Sequence, residues 1–191
     1  MREKSASDRP GRHRRQPKLT DRTYLYHYRT VHLIRHTIET HLMGRPGINL
    51  LDVGCGSKPY EPLFRSAVER YIGCDIVPGP FVDVVCQAEA LSVAANSVDV
   101  VASFSVLEHV EDPSRSVVEI YRVLKPGGLA IVSVPGVYVY HPTPADYWRW
   151  TQAGITRLFG VSPFQAVTVS ATGGAMAATF TLANIYLGLA L

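Results

Sequence analysis

Short apolar strands alternate with helical segments between residues 48 and 134, which predicts an α/β fold on a doubly wound, mostly parallel sheet. Two observations sharpen this. The run N-L-L-D-V (49–53) reads as a strand covered on both faces, and it feeds a tight turn, Gly54-Cys55-Gly56, that opens into a helix after Pro59. A second strand, Tyr71–Cys74, ends in Asp75, 19 residues after Gly56. A strand–turn–helix with glycine at 54 and 56 lets a ligand approach the backbone closely, because neither residue carries a Cβ.

The 191 residues fit one main domain with a sizeable core. The formal charge of +3 is unevenly spread. Residues 1–30 hold nine Lys/Arg against three acids, and the other 161 hold ten against thirteen. Residues 1–22, with Arg9, Arg12, Arg14, Arg15 and Lys18 among Pro, Gly and Ser, read as a basic, disordered arm. No aromatics are interleaved with its charges, so no nucleic-acid partner is expected. Cys55, Cys74 and Cys86 are odd in number and lack C-x-x-C spacing, which suits free thiols in a reducing compartment. Met1 is followed by polar residues without an apolar stretch, so a cytoplasmic location is expected.

The main domain is placed at 23–170. From Thr23 to Met43 the spacing of Val31, Ile34, Ile38 and Leu42 predicts a helix, with Tyr24 and Tyr28 on the same stripe. Gly44 and Pro46 end it. His32 and His36 are one turn apart, but no third ligand accompanies them, so its four histidines are assigned to the surface and no metal site is expected. The strand at 48–53 is followed by a helix over 60–68, the strand at 71–74, and another at Phe81–Cys86. Val98–Phe104 is a β-branched strand. A helix follows over Pro113–Leu124, with Pro113 in its first turn, Glu111 and Asp112 at its positive end, and Val117, Ile120, Tyr121 and Leu124 buried. Lys125-Pro126-Gly127-Gly128 stops it before a strand at 129–134. Thr151 caps a short helix over Gln152–Phe159, and Gln165–Ser170 reads as a sixth strand. Residues 171–191 read as an apolar C-terminal helix. Burial in the domain or a partner is favoured for it, with docking to a membrane surface the other reading.

Gly54-x-Gly56-x-x-Pro59 departs from the dinucleotide pattern G-x-G-x-x-G at its third glycine, which argues against a nicotinamide site. Asp75 still suits ribose hydroxyls, since a carboxylate accepts two hydrogen bonds. L-D-V-G-C-G (51–56), Y-I-G-C-D (71–75), V-D-V-V (98–101), V-L-E-H-V-E-D-P (106–113) and R-V-L-K-P-G-G (122–128) occur in that order. Together they resemble class I S-adenosylmethionine-dependent methyltransferases of the type 11 subgroup, over about residues 45–160. The resemblance implies a Rossmann-like sheet and S-adenosyl-L-methionine as cofactor. It implies that Asp52, Gly54, Cys55 and Gly56 line the methionine end, Asp75 binds ribose, and Ile76 packs on adenine. Gln87, Ala88 and Glu89 match the segment beside the adenine amino group, and Phe104, with Ser103 and Ser105, closes the site. Lys58 stands where the family often has a third loop glycine, and Gln87 replaces the usual Asp. The family's seventh, antiparallel strand is not found after 171.

His109, just after the fourth strand, is the candidate base. The loop H-P-T-P-A-D-Y-W-R-W-T (141–151) supplies candidate acceptor-binding residues His141, Asp146, Tyr147 and Arg149, its rings suited to a sugar or other ring and Arg149 to an anion. The same residues also suit a structural corner in which Asp146 pairs with Arg149 and Tyr147 and Trp150 plug the core. The expected function is methyl transfer to a nucleophile, oxygen first, of a small-molecule or glycan-type acceptor. The alternative is a non-catalytic cofactor-binding or scaffold protein with an incomplete fold.

Overall fold

The computed structural model describes residues 10–187. Five strands, β1 (Asn49–Val53), β2 (Arg70–Asp75), β3 (Val84–Val85), β4 (Val98–Phe104) and β5 (Leu124–Ser133), form one sheet in the order β3-β2-β1-β4-β5. Every pairing is parallel. β1 is central, flanked by β2 and β4, so the strand order reverses there. In such sheets the crevice outside the strands' carboxyl ends at that reversal accepts ligands.

Six helices are described: α1 (Arg12–Arg15), α2 (Tyr24–His41), α3 (Glu61–Phe64), α4 (Pro113–Val123), α5 (Gln152–Phe159) and α6 (Ala175–Leu187). On one sheet face, Ile34 and Ile38 of α2 and Phe64 of α3 pack with Leu50, Val100 and Ala102. On the other, Ile120 and Val123 of α4 pack with Leu51, Val53 and Val101. Neighbouring strand residues point to opposite faces, so the unbroken apolar runs of β1 and β4 are what a doubly covered sheet requires. The Asp112 carboxylate accepts the Arg115 amide at 3.1 Å to start α4, and Thr151 accepts the Gly154 amide at 3.0 Å to start α5.

Several expectations are corrected. The helix expected over 60–68 is only α3, because the Val68 amide closes on the Phe64 carbonyl and the Glu69 amide on that of Ile48, turning the chain into β2. The strand expected at 81–86 shrinks to β3, which pairs only with Cys74 and Asp75 at the sheet edge. Residues 165–170 join no strand; Val169 packs instead on the cluster around α5. No seventh strand occurs among the described residues. Tyr28 and Tyr121, expected in buried stripes, are 55% and 40% exposed, while His27, Thr30 and Val123 are buried in α2 and α4.

Of the arm expected to be disordered, residues 1–9 lie outside the described residues, but 10–22 are placed. Arg15 is buried, its guanidinium donating to the carbonyls of Pro10 (3.2 Å) and Pro59 (3.4 Å). The histidines of α2 are not all superficial: burial lowers His27 to about 4, and its ring meets His13 edge-on at 5.7 Å. Of the C-terminal helix, residues 175–187 are described; no described helix is long and apolar enough to cross a membrane.

Candidate functional site

β1 ends in a loop held open by its glycines. A Cβ at Gly54 (φ +69°) would lie 2.3 Å from Val106 Cγ2, whereas one at Gly56 (φ +49°) would meet nothing within 4 Å. The first glycine therefore permits close packing on the turn after β4, and the second presents bare backbone. The Gly56 amide donates to Asp75 Oδ2 (2.9 Å) and the Val77 amide to Oδ1 (3.1 Å), so the end of β2 is tied to the loop after β1. Each carboxylate oxygen keeps a second acceptor position. Asp52 is buried, and the Tyr71 hydroxyl donates to its Oδ2 at 2.7 Å. Burial pushes the Asp52 carboxyl up to about 7 despite that bond. Cys55 is a buried thiol, pushed up to about 12 by burial.

These groups border a cavity of about 220 Å³ lined by Asp52, Gly54, Cys55, Gly56, Ser57, Pro59, Tyr60 and Phe104. The Tyr60 and Phe104 rings meet edge-on at 4.8 Å to form one wall. The opposite contribution comes from the N-terminal segment: Gly11, His13 and Arg14 complete the lining. Of the cofactor residues inferred from sequence, Asp52, Gly54, Cys55, Gly56 and Phe104 share this cavity, and Asp75 adjoins it through Gly56. Ile76, Gln87, Ala88 and Glu89 do not line it. Ile76 is 53% exposed beside Asp75, Gln87 forms an isolated antiparallel bridge with Ala90, Ala88 packs on two core clusters, and Glu89 Oε1 accepts the Glu111 amide at 3.2 Å.

Lys58 (φ +51°) is buried and turned away from the cavity, donating to Asp83 Oδ2 at 2.5 Å and to the Tyr71 carbonyl at 3.4 Å. Sequence reasoning missed Gly11, His13 and Arg14, whose charge reads as solvated, and Tyr26, whose hydroxyl lies 3.0 Å from Ser105 Oγ after β4. Tyr26 falls off the apolar stripe of α2, and an off-stripe aromatic is the only hint the sequence offers.

After β4 a 3-10 turn, Leu107–His109, meets the 141–151 loop. The His109 ring is fixed by Nδ1 against the Ala145 carbonyl, and the Tyr147 amide donates to the Glu108 carbonyl at 2.8 Å. Glu108 is buried, and burial pushes its carboxyl up to about 7. Asp146 and Arg149 engage each other through two bonds of 2.5 and 2.7 Å, which holds the Asp146 carboxyl far below its ordinary range. Asp146 Oδ2 also accepts the His141 amide at 2.9 Å. These two residues thus form the structural corner weighed above. Tyr147 does not plug the core: it is 51% exposed, its hydroxyl 3.4 Å from Glu111 Oε1. Trp148 bonds the Val110 carbonyl at 2.8 Å and stacks on Trp150, which packs in the α5 cluster. His109 does not line the cavity, although its ring lies 5.0 Å from that of His141.

Residues 51–132, which run from within β1 to within β5 and include the loops after β1, β2 and β4, match the family model described as "Methyltransferase domain". Over that stretch, 82 of the 191 residues, the chain is similar to methyltransferase domains. A Mycolicibacterium smegmatis protein named "Probable S-adenosylmethionine-dependent methyltransferase" is 29% identical over 135 residues, 62% of this chain and 52% of that protein. A "Ubiquinone biosynthesis O-methyltransferase" of Cereibacter sphaeroides is 38% identical over 102 residues, 46% of this chain and 41% of that one. The chain spans about half the length of such curated relatives or less. The fold recurs in a crystal structure of an S-adenosylmethionine-dependent methyltransferase from Mesorhizobium loti (TM-score 0.54, 15% identity, 71% of this chain, 80% of that chain).

The Mycolicibacterium smegmatis relative is named for S-adenosylmethionine. The cradle fits such a group on its own geometry. Bare backbone at Gly56, a buried carboxylate at Asp52 able to meet an ammonium, and a strand-end carboxylate at Asp75 with spare acceptor positions suit an amino-acid end and a ribose.

Proposed function

We infer that the chain moves a methyl group from S-adenosyl-L-methionine to an oxygen of a small-molecule or glycan-type acceptor. The observation that carries this reading is the tie between Gly56 and Asp75 across the carboxyl ends of β1 and β2, beside the open cavity over Asp52. The cofactor supplies an activated methyl on a sulfonium; the protein's share is binding and aim. In this reading Asp52 meets the ammonium, Asp75 the ribose hydroxyls, and Tyr60 and Phe104 shield the reacting end from water. Holding the acceptor in line is the main contribution to rate, and no base is assigned. The exposed Tyr147 and the edge of Trp148 offer ring faces to the acceptor. The 38% identity to an O-methyltransferase supports oxygen as the receiving atom.

Incubation with cofactor labelled in its methyl group and a metabolite extract, followed by identification of the labelled product, tests the reading. A labelled hydroxyl-derived ether or ester supports it; label on nitrogen or carbon overturns the oxygen assignment. One observation favours a second reading: five strands are described where the resemblance implies seven. A protein that binds the cofactor and labels nothing is a binding module with an incomplete acceptor side.

A further inference from the structure

Between the turn after β4 and the 141–149 loop, the side chains of Glu108, His109 and His141 converge. Glu108 is 1% exposed, and its Oε2 has no partner among the described residues. Its Oε1 lies 3.9 Å from His109 Nε2. His109 Nδ1 faces the Ala145 carbonyl, which can only accept, so Nδ1 carries the proton and Nε2 the lone pair of the neutral ring. His141 repeats the arrangement: its Nδ1 is 3.1 Å from the Val139 carbonyl and 3.3 Å from Asp146 Oδ2, both acceptors. One ligand atom from each of Glu108, His109 and His141 lies within 4.8 Å of the others. The Arg149 charge favours the Glu108 carboxylate from a distance, but its fork is directed to Asp146 at 2.5 and 2.7 Å.

A buried carboxylate facing the Nε2 lone pair of His109 calls for a proton or a metal ion between them. A metal ion meets that need, and the surroundings already have the form that metal-binding histidines take. In such sites the ring N–H away from the metal is held by a carbonyl or carboxylate, which fixes the tautomer. Both rings here are held in that way. Two imidazoles and one carboxylate suit a borderline divalent ion of the zinc type better than magnesium or calcium, which take oxygen ligands.

We propose that Glu108, His109 and His141 bind one divalent transition-metal cation. Three protein ligands leave a coordination position for water or an acceptor oxygen. Tetrahedral ligands ~2.1 Å from zinc lie roughly 3.4 Å apart, so the set closes by about an ångström on binding. The 141–149 loop, which carries His141, supplies that movement. The sequence hid the site because two ligands are adjacent and the third lies 32 positions on, outside the short His and Cys spacings that mark zinc sites. The inference is independent of methyl transfer, since metal content reads it directly.

The full chain, stripped by chelator, is titrated with zinc and with cobalt(II), and the purified protein is assayed for bound metal. One equivalent of zinc per chain and a cobalt absorption band of tetrahedral or five-coordinate form are expected. His141→Ala and Glu108→Gln should each weaken zinc at least about 100-fold, with the fold checked by circular dichroism. A His32→Ala/His36→Ala double variant should bind as wild type. If Glu108→Gln does not fold, His141→Ala, on the loop, decides alone. Folded wild-type protein that binds no stoichiometric metal overturns the proposal, as does a His141→Ala variant that binds as tightly as wild type.

Discussion

Lys58 Nζ donates to Asp83 Oδ2 at 2.5 Å, and the Gly73 amide donates to the same oxygen at 2.7 Å. A loop residue after β1, a mid-strand glycine of β2 and the residue before β3 are thereby joined behind the cavity. Gly73 also makes the space: a Cβ there would lie 2.4 Å from Lys58 Cε and 2.6 Å from Cys55 Sγ. Lys58 at a position where the resembled family often has glycine is thus an inward strut, directed away from the cavity.

Lys58→Met removes the strut and leaves the Asp83 carboxylate with its Gly73 amide. Because the Asp83 side chain is half exposed, solvent screens much of the loss. Stability should fall by about 1 kcal/mol, read as a lower urea midpoint at unchanged slope. Gly73→Ala should cost about 1–3 kcal/mol by overpacking against Cys55 and Lys58. In the double variant Gly73→Ala/Lys58→Ala the glycine's cost should shrink, since Lys58 Cε is gone. Additive costs would show that Lys58 is not what fills the space over Gly73.

Asp75→Ala tests the ribose assignment. The carboxylate has two tasks in the proposed site, holding the Gly56 and Val77 amides and meeting the cofactor. Cofactor affinity by calorimetry should fall at least about tenfold, while Asp75→Asn, which can still accept one amide, should fall less. Unchanged affinity in Asp75→Ala would remove the site assignment.

The sheet, its double winding and its cradle were legible in the sequence because they rest on unbroken apolar runs, two glycines and a strand-end acid in fixed register. What escaped depends on contacts distant in sequence. Arg15 reads as solvated until the Pro10 and Pro59 carbonyls are placed around it. Ser105 and Tyr26 are 79 positions apart. The 165–170 segment alternates well enough for a strand, yet Val169 packs on the α5 cluster and Val167 is 39% exposed. Asp146 and Arg149 were readable in both of their roles, and only geometry shows them directed to each other.

The N-terminal segment gives a prediction that a disordered tail would not. Gly11, His13 and Arg14 border the same cavity as Asp52 and Gly56, and a Cβ at Gly11 would lie 2.7 Å from that of Pro59. Removal of residues 1–15, or Arg15→Ala alone, should open one side of the cradle. Cofactor dissociation by stopped flow should accelerate at least about threefold, with little change in the association rate, as is usual for lost contacts. Identical kinetics in the truncated protein would return the segment to a passive role.

Asp52 predicts a specific dependence of stability on pH. Its carboxyl titrates near 7 in the folded protein against an ordinary value of 3.8, because burial disfavours the charge. The unfolded chain releases this proton near pH 4 and the folded one only near 7, so rising pH between them favours unfolding and the penalty is complete above 7. Asp52→Asn removes the penalty while its amide oxygen can still accept from Tyr71. The variant should therefore exceed wild type in stability at pH 8, by on the order of 2–4 kcal/mol, and the gap should narrow toward pH 5. Cofactor binding should work in the opposite sense: an ammonium beside Asp52 favours the carboxylate, so binding at pH 6 should release a proton, measurable by calorimetry in buffers of different ionisation enthalpy. A stability gap independent of pH would show that the Asp52 charge is not the group in play, and binding without proton release would separate Asp52 from the cofactor's ammonium.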